Sequence, residues 1–523
     1  MATNTSQAQS GMAAPAIELR NISKSFGPVQ ANRDISMSVR RGSIHGIVGE
    51  NGAGKSTLMS ILYGFYRADS GEILVNGEHT LIPDSKAAIA AGIGMVHQHF
   101  KLVHNFTVLE NVVLGAEEGM LLRPSLSKAR DLLTRLSREY ELHVDPDSVI
   151  EDLSVGHQQR VEILKALYRQ ADILILDEPT GVLTPAEADH LFRILRSLSD
   201  EGKTIVLITH KLREIMAITD TVSVMRRGQM TDTLLTKDTN PAELAELMVG
   251  RKVLLRIKKT EATLGRKMLE ISNLSMTDSS GVLRLKDVSL TVRQGEILGI
   301  AGVAGNGQTE LLEVLGGIAE AENANILIDG RELKCSGAGS DARSRRLDGI
   351  AHVPEDRQRL GLIMEFLAWE NMSFGYQDDV SVNRNLLLMD NRAMKTSTAR
   401  QMEQFDIRPD NPELQARNFS GGNQQKMVLA REIERNPLVL VVGQPTRGVD
   451  IGAIEFIHQR IIDLRDNGAA VLLVSVELDE ILSLSDRVAV MFDGHIIGER
   501  ITAETDEKEL GLLMAGVVDG AQE

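Results

Sequence analysis

The sequence predicts an α/β protein made of two similar domains in tandem, each with a mostly parallel sheet flanked by helices. Three observations lead to this prediction. Sequence blocks recur about 250 residues apart, which indicates a domain duplication. Apolar runs of strand length alternate with helical patterns in each half, as is typical of buried parallel sheets. Each half also places a glycine-rich loop between a predicted strand and a predicted helix.

The repeated blocks predict where the domains begin and end. Residues 18–23 recur as 270–275, residues 34–42 as 287–295, residues 153–160 as 419–426 and residues 177–180 as 443–446. The predicted organisation is a disordered tail over residues 1–15, a first domain over 16–250, a basic linker over 251–267 and a second domain over 268–523. Alternating short strands at the start of each domain predict an antiparallel subdomain. A helical pattern over residues 127–140 predicts a helical insertion in the first domain.

The first half carries a complete phosphate-binding loop, Gly49-Glu50-Asn51-Gly52-Ala53-Gly54-Lys55-Ser56. A predicted strand over residues 44–48 precedes it, and a predicted helix over residues 56–62 follows. Glycines let backbone N–H groups and the helix N-terminus face an anion. Lys55 would place a positive charge on the outer phosphates, and the Ser56 hydroxyl is suited to hold Mg²⁺. The competing interpretation is a glycine-rich turn that only packs a helix tightly against a strand.

Two further features complete a recognisable pattern. An apolar run over residues 173–176 ends in the carboxylates Asp177 and Glu178, and Leu153-Ser154-Val155-Gly156-His157 is a variant of the L-S-G-G-Q signature. Together with Gln98 and His210, these features resemble the nucleotide-binding subunits of ABC transporters over nearly the whole chain. The second half has its own signature, Phe419-Ser420-Gly421-Gly422-Asn423.

Further segments of the sequence resemble one branch of that family. The segments Val353-Pro354-Glu355-Asp356-Arg357 and Pro445-Thr446-Arg447-Gly448-Val449-Asp450 of the second half look like the sugar and nucleoside importer branch. Residues 95–100 and 153–167 look most like ATPases of purine-nucleoside importers.

The resemblance implies a role for each site residue. In this family two nucleotide-binding domains meet head to tail, so that Lys55 would face the second signature and Gln308 the first. Glu178, His210 and Gln98 would be catalytic, and Ser56, Gln98 and Asp177 would hold Mg²⁺. ATP would contact the following residues: Gly49, Asn51, Gly52, Gly54, Lys55, Ser56, Thr57, Phe26, Ser420, Gly421 and Gly422. For Phe26, stacking on adenine and packing under an edge strand both stay open.

The second phosphate loop loses the charged groups that the first one has. Lys55 corresponds to Gln308, Asp177 to Gly443, Glu178 to Gln444, His210 to Val476 and Gln98 to Glu355. A positioned general base contributes about 10²–10⁴ in rate, so we expect little or no hydrolysis there. The surviving glycines and Thr309 leave residual nucleotide binding open. The sequence therefore predicts one hydrolytic site per chain, built from both halves.

Composition argues against several other classes of protein. A net charge of −16 and an aromatic content of 3% differ from nucleic-acid binders, which usually carry basic patches. No apolar run approaches the roughly 18 residues that span a bilayer, and residues 1–16 lack the features of a secretion signal. The single cysteine, Cys335, excludes an internal disulfide and fits a reducing cytoplasm.

The resemblance also implies partners, since no membrane span is predicted. They are two transmembrane permease subunits and an extracytoplasmic solute-binding protein, with no nucleic acid, and the expected location is peripheral, on the cytoplasmic face of the inner membrane. The expected solute is a nucleoside, with a ribose- or galactose-type sugar as the second candidate. Two further classes of function stay open, a soluble ABC ATPase acting on ribosomes or DNA and a purely regulatory nucleotide sensor.

Overall fold

The computed structural model describes residues 14–27, 29–97, 100–116, 122–180, 183, 185–252, 259–303, 305–377, 383–385 and 388–517. The chain divides into two compact units, unit 1 over Met1–Val253 and unit 2 over Leu254–Glu523. Part of the predicted linker belongs to unit 2, where the Lys259 ammonium donates to Leu484 O at 3.0 Å and the Arg465 guanidinium donates to Thr260 O at 3.1 Å.

Unit 1 combines an antiparallel sheet with a mostly parallel one. The strands are β1 (Ile17–Phe26), β2 (Val29–Val39), β3 (Ile44–Gly49), β4 (Ser70–Val75), β5 (Glu78–His79), β6 (Ile93–Val96), β7 (Ile173–Asp177), β8 (Thr204–Ile208), β9 (Thr221–Arg226) and β10 (Gln229–Leu235). The antiparallel sheet has the order β2-β1-β4-β5, and the main sheet has the order β10-β9-β3-β8-β7-β6. Within the main sheet, β9 and β10 are antiparallel, and the pairs β9–β3, β3–β8, β8–β7 and β7–β6 are parallel.

The α-helices of unit 1 lie between these strands in the chain, except the last one, which follows β10. They are α1 (Lys55–Leu62), α2 (Ser85–Ala90), α3 (Val108–Val113), α4 (Leu122–Glu139), α5 (Val155–Tyr168), α6 (Pro185–Asp200), α7 (Leu212–Ile218) and α8 (Pro241–Val249). Every residue of β3, β7 and β8 is buried, which explains the nearly continuous Ile, Leu and Val sequences of β7 and β8. Because these strands are parallel, Gly49, Asp177 and Ile208 end at the same edge of the sheet.

Unit 2 repeats this topology. Its strands are β11 (Lys267–Thr277), β12 (Leu283–Arg293), β13 (Ile297–Ala301), β14 (Asn323–Ile328), β15 (Arg331–Glu332), β16 (Ile350–Val353), β17 (Asn383–Asn385), β18 (Leu388–Met389), β19 (Val439–Gly443), β20 (Ala470–Ser475), β21 (Arg487–Phe492) and β22 (His495–Ile501). The antiparallel sheet has the order β12-β11-β14-β15, and the main sheet has the order β16-β19-β20-β13-β21-β22. Strands β17 and β18 form a separate small hairpin.

The helices of unit 2 also follow the pattern of unit 1. They are α9 (Gln308–Leu315), α10 (Ala342–Leu347), α11 (Ala368–Ser373), α12 (Asn391–Gln404), α13 (Gly421–Ile433), α14 (Ile451–Asp466), α15 (Leu478–Leu484) and α16 (Glu507–Met514). A short π-helix over Arg357–Gly361 has no counterpart in the sequence prediction. Apolar residues from both faces of the main sheet, among them Ile297, Leu473 and Val441, form the buried core.

The predicted fold class is confirmed. Each unit holds a largely parallel sheet with an antiparallel sheet and helices, and the helical insertion of unit 1 contains α4. This helix begins at Leu122 instead of the predicted residue 127, because a proline in the first turn does not interrupt a helix. None of the helices within the described ranges combines the length and apolar character that crossing a bilayer requires.

Candidate nucleotide site

The loop after β3 needs glycine at several positions. Gly52 and Gly54 have φ angles of 81° and 99°, which L side chains rarely adopt. A Cβ on Gly54 would collide with Ala31 O, and one on Gly49 would collide with Met225 O. The buried Asn32 amide donates to Gly54 O at 3.0 Å and so holds the loop from β2. The loop therefore has a fixed path, with Asn51 and Gly52 exposed at its tip.

Lys55 is the first residue of α1, and its side chain is buried within its own loop. Its ammonium donates to Gly49 O at 2.7 Å and to Glu50 O at 3.1 Å. Burial lowers the pKa of Lys55, and the negative charges of Glu178, Asp177 and Glu50 oppose this effect. The lysine thus carries a desolvated positive charge beside the carboxylates, held by carbonyl contacts that phosphate oxygens can replace.

The first turn of α1 is suited to an anion. No acidic side chain lies in this turn, so the partial positive charge of the helix N-terminus is not offset. Ser56 is exposed and Thr57 is partly exposed. Both residues follow Lys55 in the chain and are accessible from the surface of unit 1.

Asp177 and Glu178 follow one another at the end of β7, but their environments differ. Asp177 is the last residue of the strand and is 9% exposed. Burial raises the pKa of Asp177 to about 6, the neighbouring charge of Glu178 adds to this rise, and Lys55 opposes it. Glu178 has a left-handed backbone with φ 48°, and its N–H donates to Ile208 O at 2.8 Å. This conformation turns the chain sharply at the second carboxylate.

Glu178 and His210 form a hydrogen-bonded pair. Glu178 Oε1 and His210 Nδ1 are 2.9 Å apart. Because an ionised carboxylate only accepts, Nδ1 carries the proton and Nε2 is the second hydrogen-bonding atom of the ring. Burial alone would raise the pKa of Glu178, but the hydrogen bond from His210 and the charges of His210, Lys55 and Lys211 together bring the pKa below its ordinary value. Glu178 is therefore ionised and oriented at neutral pH.

A buried carboxylate that sequence reasoning missed holds the loops of this pair together. Glu214 on α7 accepts hydrogen bonds from the hydroxyls of Thr180 and Thr209, the latter at 2.9 Å. Thr180 follows Glu178 by two residues, and Thr209 precedes His210. Burial raises the pKa of Glu214 despite these bonds. The spacing of Glu214 from either motif gives no signal, since only the fold brings the three residues together.

The corresponding loop of unit 2 keeps the backbone and lacks the charges. The Gln308 amide is buried and donates to Val303 O at 3.2 Å, and Thr309 Oγ1 donates to Glu355 Oε2 at 2.9 Å. A Cβ on Gly443 would lie 2.7 Å from Glu355 Cγ. The Glu355 side chain thus fills the space in which a residue corresponding to Asp177 would begin.

Gln444 reproduces the backbone of Glu178 without its charge. Its φ is 47°, and its N–H donates to Val474 O at 2.8 Å. The side-chain oxygen Oε1 accepts from the backbone N–H of Val476, which replaces His210, at 3.5 Å. The turn after the strand is therefore a property of the fold, and the carboxylate is specific to unit 1.

Both signature segments form the start of a helix. Ser154 caps α5 and lies 2.8 Å from His157 Nδ1, and Ser420 caps α13 and accepts from Asn423 Nδ2 at 2.9 Å. Both serines are exposed. Gly421 and Gly422 are the first two residues of α13 and belong to unit 2.

Phe26 lies at the end of β1 with 42% of its surface exposed. Its ring packs edge-on against Tyr66, with ring centroids 5.1 Å apart, and Lys24 Nζ is 5.6 Å from its centroid. The ring is therefore accessible and also packed, and its contact with adenine stays a prediction. Gln98 lies outside the described residues.

Replacing Asp177 is expected to stabilise the nucleotide-free protein at neutral pH. The folded-state pKa of about 6 lies above the ordinary value of 3.8, so the ionised carboxylate opposes folding. The increase in the free energy of unfolding caused by D177N should be absent below about pH 4 and complete above about pH 7, where we expect it to be about 1–3 kcal/mol. Urea unfolding of the full chain at several pH values measures this difference.

The exposed Asp189 on α6 provides the matched control. D189N makes the same chemical change on the surface and should alter the free energy of unfolding by less than about 0.5 kcal/mol at any pH. A loss of stability in D177N at pH 8 would contradict the burial argument.

Comparisons with known proteins find matches to both halves of the chain. The ABC transporter family model matches residues 32–181 and 285–447, which include both phosphate loops and both strand-end segments. The chain is 46% identical over 504 residues to the nucleoside import ATP-binding protein NupA of Lactococcus lactis subsp. cremoris, covering 96% of this chain and 98% of that protein.

Two more relatives are similar over nearly their whole length. The guanosine import ATP-binding protein NupO of Bacillus subtilis is 46% identical over 502 residues, covering 96% of this chain and 97% of the relative. The glucose import ATP-binding protein TsgD13 of Haloferax volcanii is 43% identical over 535 residues, covering 96% of each chain.

Proposed function

The chain belongs to the ABC transporter family, and on that premise we propose that it hydrolyses ATP in unit 1 to energise the import of a nucleoside. The observation that carries this proposal is the placement of Lys55, Asp177, Glu178 and His210 at one edge of the main sheet of unit 1. Phosphate-binding and acid–base groups thus lie together on rigid strand ends.

The contacts of unit 1 support a role for each group. Lys55 would exchange its two carbonyl partners for phosphate oxygens of ATP, and the N–H groups of the loop would bind the remaining oxygens. Glu178, ionised and held by His210, would orient the attacking water and accept its proton. As an imidazolium, His210 would donate from Nδ1 to Glu178 and from Nε2 to an oxygen of the γ-phosphate. Gln98 would complete this set.

The residues present fit a magnesium ion. Mg²⁺ prefers oxygen ligands. Ser56, the residue after Lys55, is exposed and offers a hydroxyl. Asp177 offers a carboxylate, whose negative charge partly offsets the lowering of the pKa of Lys55 by burial and so acts at the same site. Ser56, Gln98 and Asp177 would hold the ion together with phosphate oxygens. A bound Mg²⁺ would neutralise negative charge on the phosphates. Its proximity would also keep Asp177 ionised at neutral pH.

We further propose that the signature of unit 2 completes the site. Ser420 is the exposed cap of a helix of 13 residues that starts with Gly421 and Gly422, and the N-terminus of such a helix is suited to a γ-phosphate. The other pairing, of Gln308 with Ser154 and Gly156, would have little hydrolytic activity, because unit 2 lacks the lysine and both carboxylates.

The chain acts with a membrane permease, as import by an ATP-binding protein requires. We propose two permease subunits and an extracytoplasmic solute-binding protein as partners, which would place the chain peripherally on the cytoplasmic face of the membrane. ATP would favour the closed arrangement of the two units, and hydrolysis would release it. A net charge of −16 disfavours a role on nucleic acid.

The choice of solute depends on small differences between relatives. Those named for nucleoside and guanosine import are 46% identical, and one named for glucose import is 43% identical. This small difference makes a monosaccharide importer the second candidate. The site residues described above bind and hydrolyse the nucleotide, so selectivity for the solute would belong to the partners.

Transport by cells with and without this chain tests the proposal. We expect uptake of labelled guanosine or adenosine to fall to background when the chain is deleted and to return with the wild-type chain but not with K55A. Uptake of ribose, galactose and glucose should change little. Loss of sugar uptake with normal nucleoside uptake would favour the second candidate, and no change in either would contradict an import function.

A further inference from the structure

The π-helix Arg357–Gly361 of unit 2 lies along the helix that carries the second signature. Near its start, the Gln358 amide donates to Gln424 Oε1 at 3.3 Å. At its end, the Arg431 guanidinium donates to Gly361 O at 2.9 Å. The segment is thus attached to the first and last thirds of α13. Local π-helical geometry is rare and occurs frequently at functional sites.

Arg357 connects this segment to the first turn of α13. Its Nη1 donates to Arg447 O at 2.7 Å, and its Nη2 donates to Gly448 O at 3.4 Å. The same Nη2 lies 2.5 Å from the position that a Cβ on Gly421 would occupy. The guanidinium therefore lies between the loop after β19 and the signature glycine. A side chain at residue 421 would require the guanidinium to shift.

The other end of the connection is the phosphate loop of unit 2. Glu355, two residues before Arg357, accepts the hydrogen bond from Thr309 at the start of α9. Asp356 caps the π-helix by accepting from the N–H groups of Gln358 and Arg359 at 3.0 and 3.1 Å. The side-chain contact of Thr309 with Glu355, the two residues of backbone from Glu355 to Arg357 and the guanidinium beside Gly421 thus join the phosphate loop of unit 2 to the start of α13.

Unit 1 has a different arrangement at the corresponding positions. Phe100 and Gly181 stand where unit 2 has Arg357 and Arg447. Residues 100–106, all described, form turns and irregular backbone instead of a π-helix. There the backbone N–H of Lys101 donates to Glu162 on α5 at 2.7 Å. The arginine connection is therefore specific to the unit whose own phosphate loop lacks the catalytic charges.

We propose that Arg357 is a positioning residue that transmits the state of the unit 2 phosphate loop to Ser420, Gly421 and Gly422. A change at Thr309 or Glu355 would shift the π-helix, release the carbonyls of Arg447 and Gly448, and alter the start of α13. The proposal rests on the proposed function, in which these signature residues complete the ATP site of Lys55. It makes the phosphate loop of unit 2 a regulator of ATP hydrolysis at the site of Lys55.

The first test compares the ATPase kinetics of full-length R357A, R357K and R359A. Arg359 is the control because it is an exposed arginine in the same π-helix. We expect kcat to fall about 10- to 100-fold in R357A, the scale of charge-assisted hydrogen bonds, to recover partly in R357K and to stay unchanged in R359A. Binding of a fluorescent ATP analogue should stay within about twofold, since Lys55 is untouched. Equal kcat in R357A and wild type would overturn the proposal.

The second test asks whether the connection passes through Thr309. T309V removes the hydroxyl that donates to Glu355 and should change kcat in the wild-type background but not in the R357A background. Additive effects of the two substitutions would mean that Arg357 acts alone and would overturn the connection. If circular dichroism shows that R357A does not fold, T309V is instead compared in the wild-type and R357K backgrounds.

Arginine substitution of Ser420 separates this inference from the proposed function. If S420R keeps full ATPase activity, the shared site itself is wrong. If S420R is inactive while R357A is normal, only the role of Arg357 is wrong.

Discussion

E178Q is expected to lower the ATPase rate about 10²- to 10⁴-fold, while Q444A is expected to leave it almost unchanged. Glu178 is the ionised member of a pair with His210, at 2.9 Å, and lies beside Lys55. An amide at this position can still accept a hydrogen bond, but it cannot take the proton of the attacking water. Steady-state hydrolysis by the purified full-length chain, or by its complex with the permease, measures the effect.

The structure indicates that E178Q removes the charge of the side chain without disturbing the backbone. Gln444 already occupies the corresponding position in unit 2 with φ 47°, close to the φ of 48° at Glu178, and both backbone N–H groups donate at 2.8 Å to the neighbouring strand. The fold therefore accepts glutamine in this turn. A loss of activity in E178Q should come with unchanged binding of ATP and with a small decrease in melting temperature, because the lowered pKa of Glu178 means that its charge stabilises the fold.

The reverse substitution is the matched control. Q444E adds a carboxylate to unit 2 but not the lysine, the first carboxylate or the histidine, which are replaced by Gln308, Gly443 and Val476. We expect no gain of activity from it. If E178Q and Q444A lost activity equally, both sites would hydrolyse ATP and the proposed division between the units would be wrong.

Local sequence predicted the parts of the site whose backbone is set within a few residues. The phosphate loop, β3 and α1 lie where the glycine spacing placed them, since this turn needs positive φ angles at Gly52 and Gly54 that glycine adopts most readily. The apolar run before Asp177 predicted β7, because a parallel strand that is buried on both faces needs nearly uninterrupted apolar residues.

Contacts between distant segments could not be predicted in this way. Glu214 reaches Thr180 and Thr209 only because β7 and β8 are neighbours in the sheet. The side chain of Glu355 reaches Thr309 across 46 residues, and nothing in either motif indicates the contact. The π-helix at Arg357 could not be predicted either, because the aspartate that caps it is a residue type that many loops contain. The roles of the signature residues stay predictions and need their own experiment.

S420R is expected to reduce ATP hydrolysis to background although the substitution lies in unit 2, whose phosphate loop has Gln308 in place of Lys55. Ser420 is exposed at the start of α13, and in the proposed site it faces the γ-phosphate bound by Lys55. A long cationic side chain there would fill the space of the phosphate and prevent closure. We expect a decrease of more than about 100-fold in kcat, the scale of losing a set of positioned donors.

The two signatures offer a matched pair of variants. Ser154 caps α5 as Ser420 caps α13, so S154R and S420R both lose one capping hydrogen bond, worth about 0.5–2 kcal/mol of stability. Their structural cost should therefore be alike, and their melting temperatures should shift by similar amounts. Only S420R should stop hydrolysis, because Ser154 would face the loop of Gln308, which lacks the charges for the reaction.

The combination of outcomes decides between two arrangements of the active protein. Loss of activity in S420R alone supports a site completed by unit 2 of the same chain. If S154R alone were inactive, Lys55 would instead require the first signature, which a pair of chains joined through their first units would provide. Such a pair would show hydrolysis rising with the square of the chain concentration at low occupancy, whereas a site within one chain would keep a constant rate per chain.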